Sequence, residues 1–134
     1  MFETVFEISQ GDLENEYNHL DHVGIVSLLQ KARLRFFDEC GFSHEKQIKM
    51  GYFKVISSIS ISFLREIKTS SVKITCENIR FDNKSLKIRE CIFDTERGKL
   101  LVAADIEIKF IKAGLPKAVD PPSELIKRLI QNDK

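Results

Sequence analysis

The chain has 134 residues, 43% hydrophobic and 31% charged, which at ~150 residues per domain makes residues 1–134 a single globular domain with material for a real core. Lys and Arg total 21 against 20 for Asp and Glu, a net charge of +1. That balance argues against a general nucleic-acid binder, an acidic disordered tail or a polybasic membrane binder, and leaves room for a small anion held by a few local cations. Cys40, Cys76 and Cys91 are widely spaced and form no CxxC pair, so neither a zinc ribbon nor a disulfide framework is suggested. Reduced, buried thiols fit a cytoplasmic location. The N-terminal segment lacks the basic and apolar regions of a signal peptide, and no apolar run approaches the ~20 residues of a membrane span.

Phe2, Thr4, Phe6 and Ile8 alternate with Glu3, Val5 and Glu7, which predicts a first strand. Gln10 to His22 is polar, carries Gly11, Asn15 and Asn18, and reads as a loop. A helix is expected from about Val23 to Cys40, with Asp21 as its N-cap and Gly41 as its stop. Its first half, Val23 to Leu29, is apolar nearly all round, which predicts a buried front and an emerging far end. Four strands follow. Phe53, Val55, Ile59, Ile61 and Phe63 alternate with Lys54, Ser58, Ser60 and Ser62, and Val72, Ile74 and Cys76 begin the next strand. A turn at Phe81 to Ser85 leads into Leu86, Ile88 and Ile92, and a second at Glu96 to Lys99 leads into the long alternation Leu100 to Phe110. Hairpin-length turns imply antiparallel pairing. Pro116, Pro121 and Pro122 mark an irregular tail, after which Ser123 begins a last short helix carrying Leu125, Ile126, Leu129 and Ile130. The order predicts an α+β fold in which an antiparallel five-stranded sheet wraps one long central helix.

Three stretches carry a family likeness. Asn18-His19-Leu20-Asp21-His22, followed in the helix by Ala32-Arg33, resembles a Gly-His-Val-Asn-Asn segment with a later Ala-Arg. Phe63-Leu64-Arg65-Glu66-Ile67 resembles Tyr-Leu-Arg-Pro, and Asn83-Lys84-Ser85-Leu86 resembles Gly-Arg-Ser-Ser-Leu. In this order they resemble the hotdog-fold thioesterases of the 4-hydroxybenzoyl-CoA thioesterase type, over Phe2 to about Ile111. The resemblance implies hydrolysis of an acyl-CoA or acyl-carrier-protein thioester, with no cofactor beyond the CoA moiety of the substrate. It implies homodimers or homotetramers whose sites lie between subunits.

The resemblance also implies site residues. A backbone N–H at the helix start, at His22, would polarise the thioester carbonyl, because free N–H groups and the helix dipole stabilise a forming oxyanion. The position of the family's aspartate falls on Asn15, whose amide cannot act as base or nucleophile. A second alignment, of Asp21 to Val26 with Asp-Pro-Ala-Gly-Ile-Val, places Asp21 there instead. Asp21 is the nearest carboxylate, with Asp12, Glu14 and Glu16 as further candidates. Asn15, Asp21 and His22 are thus the catalytic candidates, and Arg65, Lys84 and Ser85 the candidates for CoA binding, Lys84 first for the phosphates. Against Asp21 as base stands its role as a simple cap. Asn15 motivates the alternative of a non-catalytic acyl-CoA or acyl-carrier binder. His19 and His22 share a helix face, but only His44 remains as a third imidazole, so no metal site is predicted. Ser58, Ser60 and Ser62 lie in no GxSxG motif and read as a polar sheet face.

Overall fold

The computed structural model describes residues 1–13 and 19–133. Strand β1 (Phe2–Glu7) is followed by a short helix α1 (Gln10–Leu13) within the segment expected to be loop. The long helix α2 (His22–Glu39) comes next, then a short helix α3 (His44–Lys49) that the alternation did not announce. Strands β2 (Tyr52–Phe63), β3 (Ser71–Asp82), β4 (Ser85–Asp94) and β5 (Leu100–Lys112) make up most of the remainder. A two-residue β6 (Ala118–Val119) and helix α4 (Ser123–Asp133) close the chain. The strands form one antiparallel sheet in the order β1-β3-β4-β5-β2, with β6 on β5. This is the expected hotdog arrangement of five long strands around one helix, with β6 as a small sixth.

Local chemistry explains the joints. Asn83 and Lys84 both have positive φ, 52° and 63°, the two-residue turn whose twist matches a right-handed hairpin. Gly41, at φ 82°, ends α2: its N–H bonds Asp38 O, and the Phe42 N–H reaches back to Phe37 O, a Schellman closure that satisfies the last carbonyls. Asp133 of α4 accepts from the N–H groups of Asn78 and Ile79 at 3.0 Å each, which supports the bulge where β3 shifts register against β4.

The sheet covers α2 along one side. Ile25, Leu28, Leu29, Ala32, Phe36 and Phe37 form a buried stripe along its whole length. Val23, at 65% exposure, and Val26 and Leu34 remain open. The buried front and emerging far end expected from the sequence are therefore replaced by a buried side and an open side, because a sheet curved around a single helix leaves the flank near edge strand β2 uncovered.

Strand β2 carries a second correction. Its register against β5 shifts between Ile56 and Ser58, with Ser57 as the extra residue. A bulge of one residue reverses the inward face. Lys54 and Ile56 therefore face inward with Ile59, Ile61 and Phe63, opposite the buried Phe110, Ile108, Ile106, Ala104 and Val102. Phe53 and Val55, expected on the apolar face, turn outward with Ser58, Ser60 and Ser62.

Among the described residues, one ion pair lies inside the core. Arg33 of α2 donates to Glu90 of β4 at 2.5 Å, with Glu90 fully buried. Burial pushes the Glu90 carboxyl up to about 7, outweighing the adjacent guanidinium that lowers it. Folded Glu90 thus holds its proton to higher pH than unfolded Glu90. Its contribution to stability is fully present below pH 4.5 and is lost as pH rises to about 7. Urea unfolding across that window should show the slope in the wild type and a flatter profile in Glu90→Gln. Arg33→Met alone should cost about 1–3 kcal/mol by leaving a buried carboxyl without its partner, and Arg33→Met/Glu90→Leu should recover most of it.

Candidate active site

The start of α2 opens onto a cleft of about 400 Å³. One wall is the segment His19 to His22 with Ile25, and the other is Phe63 to Ile67. Two backbone contacts set the walls. The Leu20 N–H bonds Ile67 O at 2.9 Å, and the Leu101 carbonyl accepts from both Leu64 and Arg65. Leu101 is the extra residue where β5 shifts register against β4, so a bulge aims that carbonyl at the cleft wall. Gly24 lets Leu20 pack against the helix start; a Cβ there would come within 2.5 Å of Leu20 Cδ1.

Of the sequence-predicted residues, Asp21, His22 and Arg65 meet in this cleft. Asp21 is the N-cap: its carboxylate accepts from the Gly24 N–H at 2.9 Å, and its carbonyl accepts from the Ile25 N–H. Those bonds leave His22 and Val23 as the helix-start N–H groups without an intrahelical acceptor, at the positive end of the dipole. Glu66 is a further carboxylate in the cleft. Its ion pair with Lys68 at 3.1 Å holds its carboxyl below the ordinary value, which suits a structural anion better than a base. Asn15, Glu14 and Glu16 lie outside the described residues, as does Asn18 of the first motif.

Lys84 and Ser85 lie elsewhere. Ser85 is opposite Lys109 on β5, whereas Phe63 at the cleft is opposite Val102. Seven residues of strand separate the two positions, about 23 Å. Lys84 is exposed at the hairpin turn. Ser85 is buried, and its hydroxyl donates to Glu107 at 3.2 Å. Within one chain, then, the structure brings together one group of candidates and leaves the other at the far end of the sheet.

The residues 8–129 match the family model described as the thioesterase-like superfamily. The chain belongs to the thioesterase-like superfamily. Solved structures share the fold of this superfamily member at low identity. A 1,4-dihydroxy-2-naphthoyl-CoA thioesterase from Synechocystis matches at TM-score 0.88 and 14% identity, over 99% of this chain and 98% of that one. A hypothetical protein from Staphylococcus aureus, solved in complex with CoA, matches at TM-score 0.88 and 14% identity, over 99% and 85%. The YbaW probable thioesterase from Escherichia coli matches at TM-score 0.79 and 22% identity over 100% of both chains. No curated protein matches the chain.

Sequence reasoning missed Glu90 and Lys54 as inward-facing charges. Glu90 was legible, since it falls between Ile88 and Ile92 on the apolar phase of β4. Lys54 was not, since its face depends on the bulge at Ser57. In this superfamily member the cap role of Asp21 separates from any chemical role by substitution. Asp21→Ala should lower stability by about 1 kcal/mol, and Asp21→Asn, an equally good cap, should leave it nearly unchanged in thermal or urea unfolding.

Proposed function

We propose that the protein hydrolyses acyl-CoA thioesters at the start of α2. The observation that carries this reading is the cleft of about 400 Å³ into which the capped helix start, His22 and Arg65 all open. The superfamily membership and the CoA-related relatives of the same fold support it. The thioester carbonyl oxygen would sit against the His22 and Val23 N–H groups, where the helix start stabilises the negative charge that develops on attack. A water oxygen adds to the carbonyl carbon and gives its proton to a carboxylate, Asp21 or Glu16, with Asn15 orienting the water. The C–S bond then breaks, and the sulfur leaves as the CoA thiol after taking up that proton. Acyl-carrier protein is an alternative thiol donor for the same chemistry.

The site reads as part of a larger assembly. Strand β2 is a 12-residue edge strand, and Ile56, Ile59 and Phe63 on its inner face are exposed beside Val23 and Val26. A long apolar edge is a template for pairing with another chain. A second copy added antiparallel along β2 would bring the Lys84 turn of one copy towards the His22 cleft of the other, where it would meet the CoA phosphates. Homodimers, or homotetramers built from them, follow from this reading. The buried free thiols Cys40, Cys76 and Cys91 support a reducing, cytoplasmic setting, and among the described residues no helix is long and apolar enough to cross a membrane. A non-catalytic acyl-CoA binder is the second reading, favoured by Asn15 and by the engagement of Asp21 as a cap.

Thiol release from short, long and aromatic acyl-CoAs separates the two readings: turnover supports hydrolysis, whereas thermal stabilisation by the esters without turnover supports binding alone. Asp21→Asn should lower kcat by about 10²–10⁴-fold if Asp21 is the base, and Asn15→Asp should raise it if position 15 has lost one. Sedimentation of the wild type should give a dimer or tetramer; a monomer at micromolar concentration contradicts the shared site.

A further inference from the structure

A second cavity, of about 530 Å³, lies between α2 and β2. Its walls are mainly apolar, with Val26 and Leu34 from α2 and Ile56 and Ile59 from β2, and Gln30 and His44 also line it. Arg33 and Lys54 are the two Lys/Arg side chains that line it. Arg33 already donates to Glu90. Lys54 has no such answer. Its Nζ is buried with no hydrogen-bond partner among the described residues, 3.8 Å over the Phe37 ring. Asp38, the carboxylate whose field raises it, makes no hydrogen bond with it. Burial pulls the Lys54 ammonium down to about 8, more than the field of Asp38 restores. A buried donor without a partner needs an explanation, and an ammonium that only donates calls for an acceptor.

Placement says what that acceptor is attached to. Val26 lies one turn beyond His22, and Arg33 lies eleven residues beyond it, about 16 Å along the helix. An acyl group whose thioester sits at His22 and whose chain runs down the apolar groove would bring its far end to Lys54 and Arg33. We propose that Lys54, with Arg33, recognises an anionic group at the distal end of the acyl chain, so that the preferred substrates are thioesters of long dicarboxylic acids. This rests on the reading of the α2 start as the thioester site. The bulge at Ser57 is what makes it possible, since without it Lys54 would face outward.

The test compares dodecanoyl-CoA with the mono-CoA ester of dodecanedioic acid, which differ only in a terminal methyl or carboxylate. The wild type should favour the diacid ester in kcat/KM by about tenfold, the scale of one hydrogen bond to a charged group. The short pair butanoyl-CoA and succinyl-CoA should show no such preference, because a short chain ends before Lys54. Lys54→Met should bring the long-pair ratio near one, and Lys54→Arg should keep it. A wild-type ratio near one, or a ratio that Lys54→Met does not move, overturns the inference. So does a shift in oligomeric mass with an unmoved ratio in Lys54→Met, which would assign the cavity to a second copy of the chain. If neither ester is hydrolysed, the thioesterase reading fails by itself, and calorimetric affinities of the intact esters decide the inference: a tenfold preference lost in Lys54→Met sustains it, and equal affinities overturn it.

Discussion

The seat of α2 against the concave face of the sheet controls the other distances in this protein. Leu29, Ala32 and Phe36 of the helix are fully buried, as are Ile74, Ile92, Val102 and Phe110 among the strand residues. Each large apolar side chain so buried contributes about 1.5–3 kcal/mol, and close packing penalises displacement in any direction. A hydrophobic stripe alone tolerates sliding by a turn. The Arg33–Glu90 pair does not, because moving either partner leaves a charge inside the core without its counterpart. With the helix pinned at that point, its start is delivered to the segment Phe63 to Ile67, and its dipole points into the cleft.

A sheet that wraps one helix cannot also cover its own last strand. The consequence is the open flank formed by β2 with Val23, Val26 and Leu34. The same flank holds the groove proposed for the acyl chain and the edge proposed for pairing with a second copy, so the two proposals share one surface. The candidate cations are spread over the molecule. Arg65 stands at the cleft, Lys54 and Arg33 deep in the groove, and Lys84 at the far turn of the sheet. A chain with a net charge of +1 therefore presents positive groups at separate places rather than in one basic patch.

Three one-residue irregularities do much of the positioning. The extra residue at Ser57 turns Lys54 inward, the one at Leu101 aims a carbonyl that holds Leu64 and Arg65, and the bulge at Asn78 receives Asp133 of α4. Bulges bend and twist a strand locally, and here each one marks a place where a strand meets another element.

Much was readable from the chain alone. Period-2 runs announced all five long strands, Asp21 and Gly41 bounded the helix to within a residue, and the short motifs pointed to the family that the comparison supports. These are local properties, since the side-chain period and cap chemistry act within a few residues. The meeting of Asp21 and His22 with Arg65 needed the fold, because Leu20 and Ile67 are far apart in sequence and join only through the pairing of distant segments. The inward face of Lys54 needed it too. Alternation assigned Lys54 to the polar side together with Ser58 and Ser60, and only the register against β5 shows where one residue drops out of the ladder. Strand phase is local, but register is a property of two strands at once, and so the tertiary structure alone decided that Lys54 turns inward.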